Sequence, residues 1–361
     1  DLLLTREWGA VGLYRNDGGR LIKADATSGV GSLAGWWNGI AGGDVDGDGD
    51  MDYAVSNFGL NTKYRPTREH PVVLYYGDFE GTGEMRIVEA KETAAGAFPV
   101  RGFSCSSGAI KSLVKKLDYD NPFHDFAIRN LTALYTRESL DKALRLEVNE
   151  LRSGILLNDG FGSFRFMPLP ALAQNSPGFG LQFCDANRDR HPDLYMVQNF
   201  HGPQPETGRM HGGLSMLLAG RGDGRFEPIW PQESGLMVPG DAKSLVVLED
   251  GDFLLSQNDE VPLLFSPRSG GASRCALRLR GKPGNPDAVG ARVTLTSAEG
   301  DQVGAYEVHA GSGYLGGSST ALAICLGETS AQPVKVDVSW PDGQQSSHDL
   351  SGNGRHLISQ P

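Results

Sequence analysis

Nine consecutive residues hold five carboxylates: Asp44-Val45-Asp46-Gly47-Asp48-Gly49-Asp50-Met51-Asp52. Acids stand at loop positions 1, 3, 5 and 9, with Gly49 at position 6. Alternate residues of a tight loop can aim their oxygens at one centre, and a hard Ca²⁺ ion takes six to eight oxygens at roughly 2.3–2.6 Å. Asp50, at position 7, would add its backbone carbonyl. Without a cation, carboxylates crowded this closely repel one another. The expected ligands of a first calcium site are therefore Asp44, Asp46, Asp48, Asp50 and Asp52.

No helical stripe precedes this loop and no Glu closes a 12-residue EF-hand loop; Tyr53-Ala54-Val55 instead continues as a strand. A second copy, Asp185-Ala186-Asn187-Arg188-Asp189-Arg190-His191-Pro192-Asp193, also runs into a strand, Leu194-Tyr195-Met196-Val197. Its expected ligands are Asp185, Asn187, Asp189 and Asp193 with the His191 carbonyl, and weaker binding follows from Asn187 and from Arg190 in the glycine's place. A third loop, Asp78 to Arg86, carries an arginine where the last carboxylate belongs. Asp250-Gly251-Asp252 is a remnant.

The elements that must position these loops are short strands. Apolar runs end in turns able to take positive φ at Gly12–Gly19, Ile155–Phe164 and Met216–Phe226. Recurrence of one hairpin marks a repeat architecture, and four-stranded units of this length predict propeller blades. Two helical stripes break the cadence, Ile110/Leu113/Val114/Leu117 and Leu140/Ala143/Leu144/Val148/Leu151, and predict a helical insertion between blades at about 101–152. Ser266–Gly271 reads as a linker. Beyond it, alternating strands at Cys275–Arg280, Ala291–Leu295 and Val334–Trp340 predict a small β-sandwich. The domains are thus 1–268, propeller blades with the insertion, and 272–361, the sandwich.

Composition agrees. Glycine is 49 of 361 residues, about twice the usual share of roughly 7 % and without a collagen period, as an all-β chain with many tight turns requires. Lys+Arg 33 against Asp+Glu 44 gives a net charge of −11, which argues against nucleic acid as the main partner and suits cation binding. No apolar run is long enough to span a membrane as a helix. The opening Asp1-Leu2-Leu3-Leu4-Thr5 reads as a strand already under way, so the chain is expected to be processed or cut from a longer one.

These residues carry a family resemblance. The Asp loops within short strands resemble FG-GAP/VCBS repeats of integrin-like β-propellers, with Gly35-Trp36-Trp37-Asn38 before the first loop and Asn57-Phe58-Gly59-Leu60-Asn61 after it. The C-terminal part resembles the ASPIC/UnbV domain through Asn285–Val293, Gly311-Ser312-Gly313-Tyr314-Leu315, Leu326-Gly327 and Trp340-Pro341-Asp342-Gly343. It departs from that pattern at Ile324-Cys325, where Phe-Gly is usual. The combination is similar to the cartilage acidic protein group and to UnbV proteins encoded with enediyne biosynthesis. The resemblance implies a secreted, periplasmic or cell-surface protein that interacts rather than reacts. Without the insertion and C-terminal domain, on the order of 215 residues remain, about four or five blades, short of the closed integrin-type ring that the resemblance implies. Either N-terminal blades lie outside this chain, or a further chain or segment supplies them.

Other constellations have blander readings. Arg221-Gly222-Asp223 sits in the recurring hairpin turn. His201, Glu206 and His211 share a loop-rich stretch that suits a transition metal only if the three converge. Trp36-Trp37 suits sugar stacking or core packing. Disulfide pairs to consider are Cys275–Cys325 and Cys105–Cys184. No His-Glu-x-x-His, Gly-x-Ser-x-Gly or P-loop is present. The reading reached is a non-catalytic extracytoplasmic calcium-binding β-propeller that binds a protein or glycan. The alternative is an enzyme or biosynthetic accessory protein with a site in the propeller's central cleft.

Overall fold

The strand Asp193–Gln198 is buried at every residue, and its alternation shows why. Leu194 and Met196 enter one core with Ile155, Leu157 and Leu181. Tyr195 and Val197 enter another with Leu217, Leu245 and Leu255. Side chains on a strand alternate between faces, so this strand belongs to a sheet held between two others. The computed structural model describes residues 1–25, 27–266, 273–327, 333–351 and 354–361. Strands hold 41 % of the residues and helices 12 %, so the protein is mainly β.

Four antiparallel sheets pack face to face in sequence. The first joins Leu2–Leu4, Gly12–Asp17 and Arg20–Lys23. The second runs, from one edge to the other, Phe164–Pro168, Gly154–Asn158, Asp52–Val55 and Ile40–Gly43. The third runs Gly178–Cys184, Asp193–Gln198, Met216–Gly220 and Phe226–Ile229. The fourth joins Ala242–Val247, Phe253–Gln257 and Glu260–Phe265. Val11, Leu13 and Leu156 share the core between the first and second sheets.

Residues 59–153 leave the second sheet after its Asp52–Val55 strand and return to it at Gly154. They carry a further sheet, ordered Gly96–Pro99, Arg86–Thr93, Val72–Gly77 and Leu144–Val148. Short helices at Phe103–Ala109, Pro122–Ile128, Leu131–Leu134 and Arg137–Lys142 close over a core of Val73, Leu113, Phe126 and Leu134. The helical stripe expected through Leu151 ends early. Leu144–Val148 is a strand, paired antiparallel with Val72–Tyr76. Leu144, Leu146 and Val148 also alternate with Arg145 and Glu147, so both periods fit the residues and the open edge at Val72–Gly77 decides between them.

The C-terminal part places two sheets on one core. One joins Leu322–Gly327, Ser273–Arg280 and Gly354–Ser359, and the other runs Gln302–Glu307, Arg292–Thr296, Val334–Ser339 and Gln345–Leu350. Leu277, Leu279, Val293, Val336 and Trp340 meet between them. This unit sits against the N-terminal sheets: Ile40 and Gly313 exchange backbone hydrogen bonds of 3.2 and 2.7 Å. Gln182 Nε2 donates to Ser312 and Ser318 at 3.1 and 2.9 Å. Residues 267–272 of the expected linker and the Cys325 side chain lie outside the described residues. Cys105 is a free thiol, so the Cys105–Cys184 bridge is not formed.

Where the third and fourth sheets meet, the edge strands approach so closely that only glycine fits. A Cβ on Gly180 would lie 2.8 Å from the Leu245 amide nitrogen and 3.0 Å from the Lys243 carbonyl oxygen. Both are backbone atoms, so neither can swing away. Gly180→Ala is expected to cost about 1–3 kcal/mol, as overpacking does, by chemical denaturation. Gly202→Ala, with nothing within 4 Å of its Cβ, should stay within about 0.5 kcal/mol of wild type. Equal effects of the two would contradict the close approach.

Candidate metal centre

The two complete acidic loops fold alike, residue for residue. Asp44–Asp52 connects Ile40–Gly43 to Asp52–Val55, and Asp185–Asp193 connects Gly178–Cys184 to Asp193–Gln198. Each loop is closed by its last carboxylate. The Val45 N–H donates to Asp52 Oδ2 at 3.0 Å and the Asn158 N–H to Asp52 Oδ1 at 2.8 Å. In the second loop Ala186 donates to Asp193 Oδ2 at 2.8 Å and Gly220 to Asp193 Oδ1 at 3.0 Å. The first carboxylate accepts from position 6 in both: Gly49 to Asp44 at 3.2 Å, Arg190 to Asp185 at 3.3 Å. Both loops need left-handed backbone at the same places. Gly47 and Gly49 supply it at φ 78° and 91°, and Arg188 and Arg190 adopt φ 67° and 72°.

Asp44, Asp46 and Asp48 bring carboxylate oxygens within 4.8 Å of one another, and among the described residues they form the acidic group with metal-binding spacing. Asp52 and Asp193 are fully buried and give their oxygens to N–H donors. Asp50 lies to one side, its carboxylate 4.0 Å from Arg292 Nη2. In the second loop the Asn187 amide donates to Asp189 at 2.9 Å, and the His191 N–H donates to Asp189 Oδ1 at 2.8 Å. Asp185 Oδ1 is buried with no hydrogen-bond partner. A buried carboxylate oxygen without a donor is costly, and a cation removes that cost.

The electrostatics point the same way. Burial raises Asp44 above the ordinary carboxylate range against the pull of the Gly47 and Gly49 amides, with repulsion from Asp48 and Asp46 adding to the rise. Burial and then the Asp48 charge raise Asp46. Burial pushes Asp52 up to about 7 although Asn158 and Val45 donate to it. Burial likewise raises Asp185 and Asp193. Oxygen donors of this kind fit a hard divalent cation.

The Asp78 loop differs. Glu80, Gly81, Thr82 and Gly83 donate their N–H groups to the Asp78 carboxylate at 2.7–3.2 Å. These bonds, Gly83 foremost, lower its pKa. Arg86 at position 9 bonds the Ala109 carbonyl at 3.0 Å and the Glu84 carboxylate. Asp250–Asp252 is a tight turn at Gly251, φ 85°. Glu206 accepts from the Gly102 N–H at 3.0 Å, while His201 stacks edge-on with His211 at 6.3 Å and contacts Arg209. Trp36 packs among Trp8, Phe58 and Tyr64, and Trp37 donates to the Leu33 carbonyl at 2.9 Å. Both indoles are buried, which leaves no open face for a sugar. The Arg221-Gly222-Asp223 turn has Gly222 at φ 68° and Asp223 accepting from the Arg225 N–H.

Two partners of the first loop escape local sequence reading. Asn158 belongs to a hairpin more than a hundred positions on, and Gln302 of the C-terminal unit donates its amide to Asp44 Oδ2 at 3.1 Å. The Asn158-Asp159-Gly160 turn was a signal for the first; nothing local marks the second. Residues 281–361 match the family model described as ASPIC and UnbV, in keeping with the resemblance carried by Asn285–Val293 and Trp340–Gly343. The match does not extend to the N-terminal sheets. A search of curated proteins gave no match.

The raised carboxylates set a sign for stability against pH in chelator. A carboxyl with a folded pKa near 7 and an unfolded value of 3.8 favours folding fully below 3.8, and that support is lost as pH rises through about 7. Metal-free protein should therefore lose melting temperature across that window in EDTA. Asp46→Asn removes one repelling charge, so in EDTA at pH 8 it should melt at or above wild type. A lower melting point there would show that the cluster does not strain the metal-free fold.

Proposed function

We propose that this chain is a calcium-stapled, non-catalytic binding protein, acting outside the cytoplasm and built on a part-ring of propeller blades. The carrying observation is the pair of acidic loops, which share one hydrogen-bond plan while each gathers more buried negative charge than its own N–H donors offset. Asp44, Asp46 and Asp48, with Asp52 and the Asp50 carbonyl, would hold one ion. Asp185, Asn187, Asp189 and Asp193, with the His191 carbonyl, would hold the other. The propeller reading is supported by the face-to-face series of antiparallel sheets and by the edge strands Ile40–Gly43, Gly178–Cys184 and Ala242–Val247 that approach one another. Further blades would then come from another segment or a partner chain.

Calcium acts here as a structural element: it neutralises the loops and so couples binding to folding. The second loop carries fewer carboxylates and two arginines, so it should fill at higher calcium than the first. Millimolar calcium outside the cytoplasm suffices for weak sites, which is why location follows from the loops. The ligand of such a protein is a protein or a glycan.

Thermal unfolding in EDTA and then across a calcium titration tests this directly. At a hundredfold excess over Kd one site adds about 2.7 kcal/mol, a rise of several degrees in melting temperature. Asp46→Ala should remove the high-affinity part of the rise and Asn187→Ala the low-affinity part. An unchanged melting curve for wild type at millimolar calcium would end the calcium reading.

A further inference from the structure

The C-terminal unit does not seal against the N-terminal sheets. Between them lies a cavity of about 470 Å³, within the range of small-molecule sites, and beside it a second of about 700 Å³. Ala41, Gly42, Glu307, Val308, His309 and Ser312 line both. His309 stands at this shared wall with its Nε2 lacking a hydrogen-bond partner. It packs on Gly42, where a Cβ would come within 2.7 Å of that nitrogen.

The walls of the smaller cavity come from four strands at the edges of their sheets: Ile40–Gly43, Gly178–Cys184, Gln302–Glu307 and Leu322–Gly327. An edge strand presents backbone N–H and C=O groups without ladder partners, so beyond Ile40, whose own groups bond Gly313, these walls offer donors and acceptors together. Side chains add the same neutral chemistry from Gln182, Ser312, Ser318 and Thr320, while Phe183, Val303 and Ala305 form an apolar side. Arg190 is the one Lys or Arg side chain on this wall among the described residues, against Asp44, Asp185, Asp189, Asp301 and Glu307. With calcium in both loops the charges of Asp44, Asp185 and Asp189 would be offset, leaving Asp301 and Glu307 beside a single Arg190, so the wall offers no cluster of cationic side chains for a phosphate or carboxylate. Both acidic loops reach the cavity, through Asp44 and Asp185.

We propose that this cleft between the acidic loops and the C-terminal unit binds an uncharged, polyhydroxylated small molecule with one apolar face. Hydroxyl groups both donate and accept, which suits the exposed strand edges and the Ser312, Ser318 and Thr320 hydroxyls, while the Gln182 amide is already given to Ser312 and Ser318; the apolar face lies on Phe183 and Val303. A sugar ring and a hydroxylated polycycle share this chemistry. The proposal deepens the binding-protein reading and rests on it for the calcium that holds two of the walls.

Saturation-transfer NMR on the whole chain, in millimolar calcium, distinguishes the sources, with a disaccharide panel including cellobiose in one arm and estriol in the other. The expected result is transfer to one arm. Ser319→Trp, at an exposed loop position lining the cavity, should weaken binding about tenfold or more, a difference of about 1.4 kcal/mol. Ala305→Phe, filling the cavity from the opposite wall, should do the same if the first variant folds poorly. Tyr119→Ser, on the exposed face of the inserted segment, should bind as wild type does. No transfer in either arm, or equal transfer to Ser319→Trp and Ala305→Phe, overturns the proposal. Binding that survives EDTA unchanged keeps the cleft and removes calcium from its walls. A calcium-dependent rise in melting temperature without probe binding removes the cleft and keeps the calcium.

Discussion

Two buried carboxylates, Asp52 and Asp193, hold the N-terminal architecture together. Asp52 accepts from Val45 and Asp193 from Ala186 and Asn187 at the start of its own loop, and each accepts one more N–H from the neighbouring strand of its sheet. A single side chain thereby fixes the loop, the strand it begins and the hairpin behind it. The bonds to these oxygens are stronger when the carboxylate is ionised, yet burial raises both groups above the ordinary carboxylate range. The same enclosure makes the charge expensive, and Asp46 and Asp48 add repulsion beside Asp52. The fold thus gathers negative charge that its own amides only partly offset, and the proposed divalent cation would offset the rest.

From that constraint the rest of the molecule follows outward. The edge strands that lead into the loops lie close together, and small residues allow it: Gly43 against Phe183, and Gly180 against Leu245 of the next sheet. The middle strands are then covered on both faces and become continuous apolar runs, such as Leu194–Val197. The C-terminal unit joins at the same place. Gln302 reaches Asp44, Gln182 reaches Ser312 and Ser318, and Gly313 extends the edge at Ile40. Loop chemistry and the docking of the C-terminal unit are therefore one structural problem, and the cleft between them is its product.

Much of this was legible in the chain itself. The mainly β class, the recurring hairpins and the like folding of Asp44–Asp52 and Asp185–Asp193 all rest on local spacing, which sequence records directly. The strand at Leu144–Val148 was not legible, because its residues satisfy a helical and an alternating pattern at once and only the unpaired edge at Val72–Gly77 resolves them. The place of residues 59–153, inside one sheet rather than between two, depends on Asp52–Val55 pairing with Gly154–Leu156 across the gap. Nothing nearby in sequence announces that pairing. Gln302 at Asp44 and His309 at Gly42 are long-range for the same reason.

The Asp78 loop shows that the acidic motif does two separable jobs. Position 1 caps a turn: Asp78 accepts four backbone N–H groups, and Asp44 and Asp185 accept from the corresponding amides of their loops. Positions 3, 5 and 9 gather charge and enclose it. In the Asp78 loop the enclosing carboxylate is replaced by Arg86, which turns outward to the Ala109 carbonyl, and Asp78 then sits below the ordinary carboxylate range rather than above it. The turn is capped by backbone N–H groups alone, a job that needs no cation. Position 1 and the glycines alone therefore identify a capped turn. The buried carboxylate at position 9, with donors from both its own loop and the neighbouring strand, is the residue that separates the two loops proposed to hold calcium from the Asp78 turn.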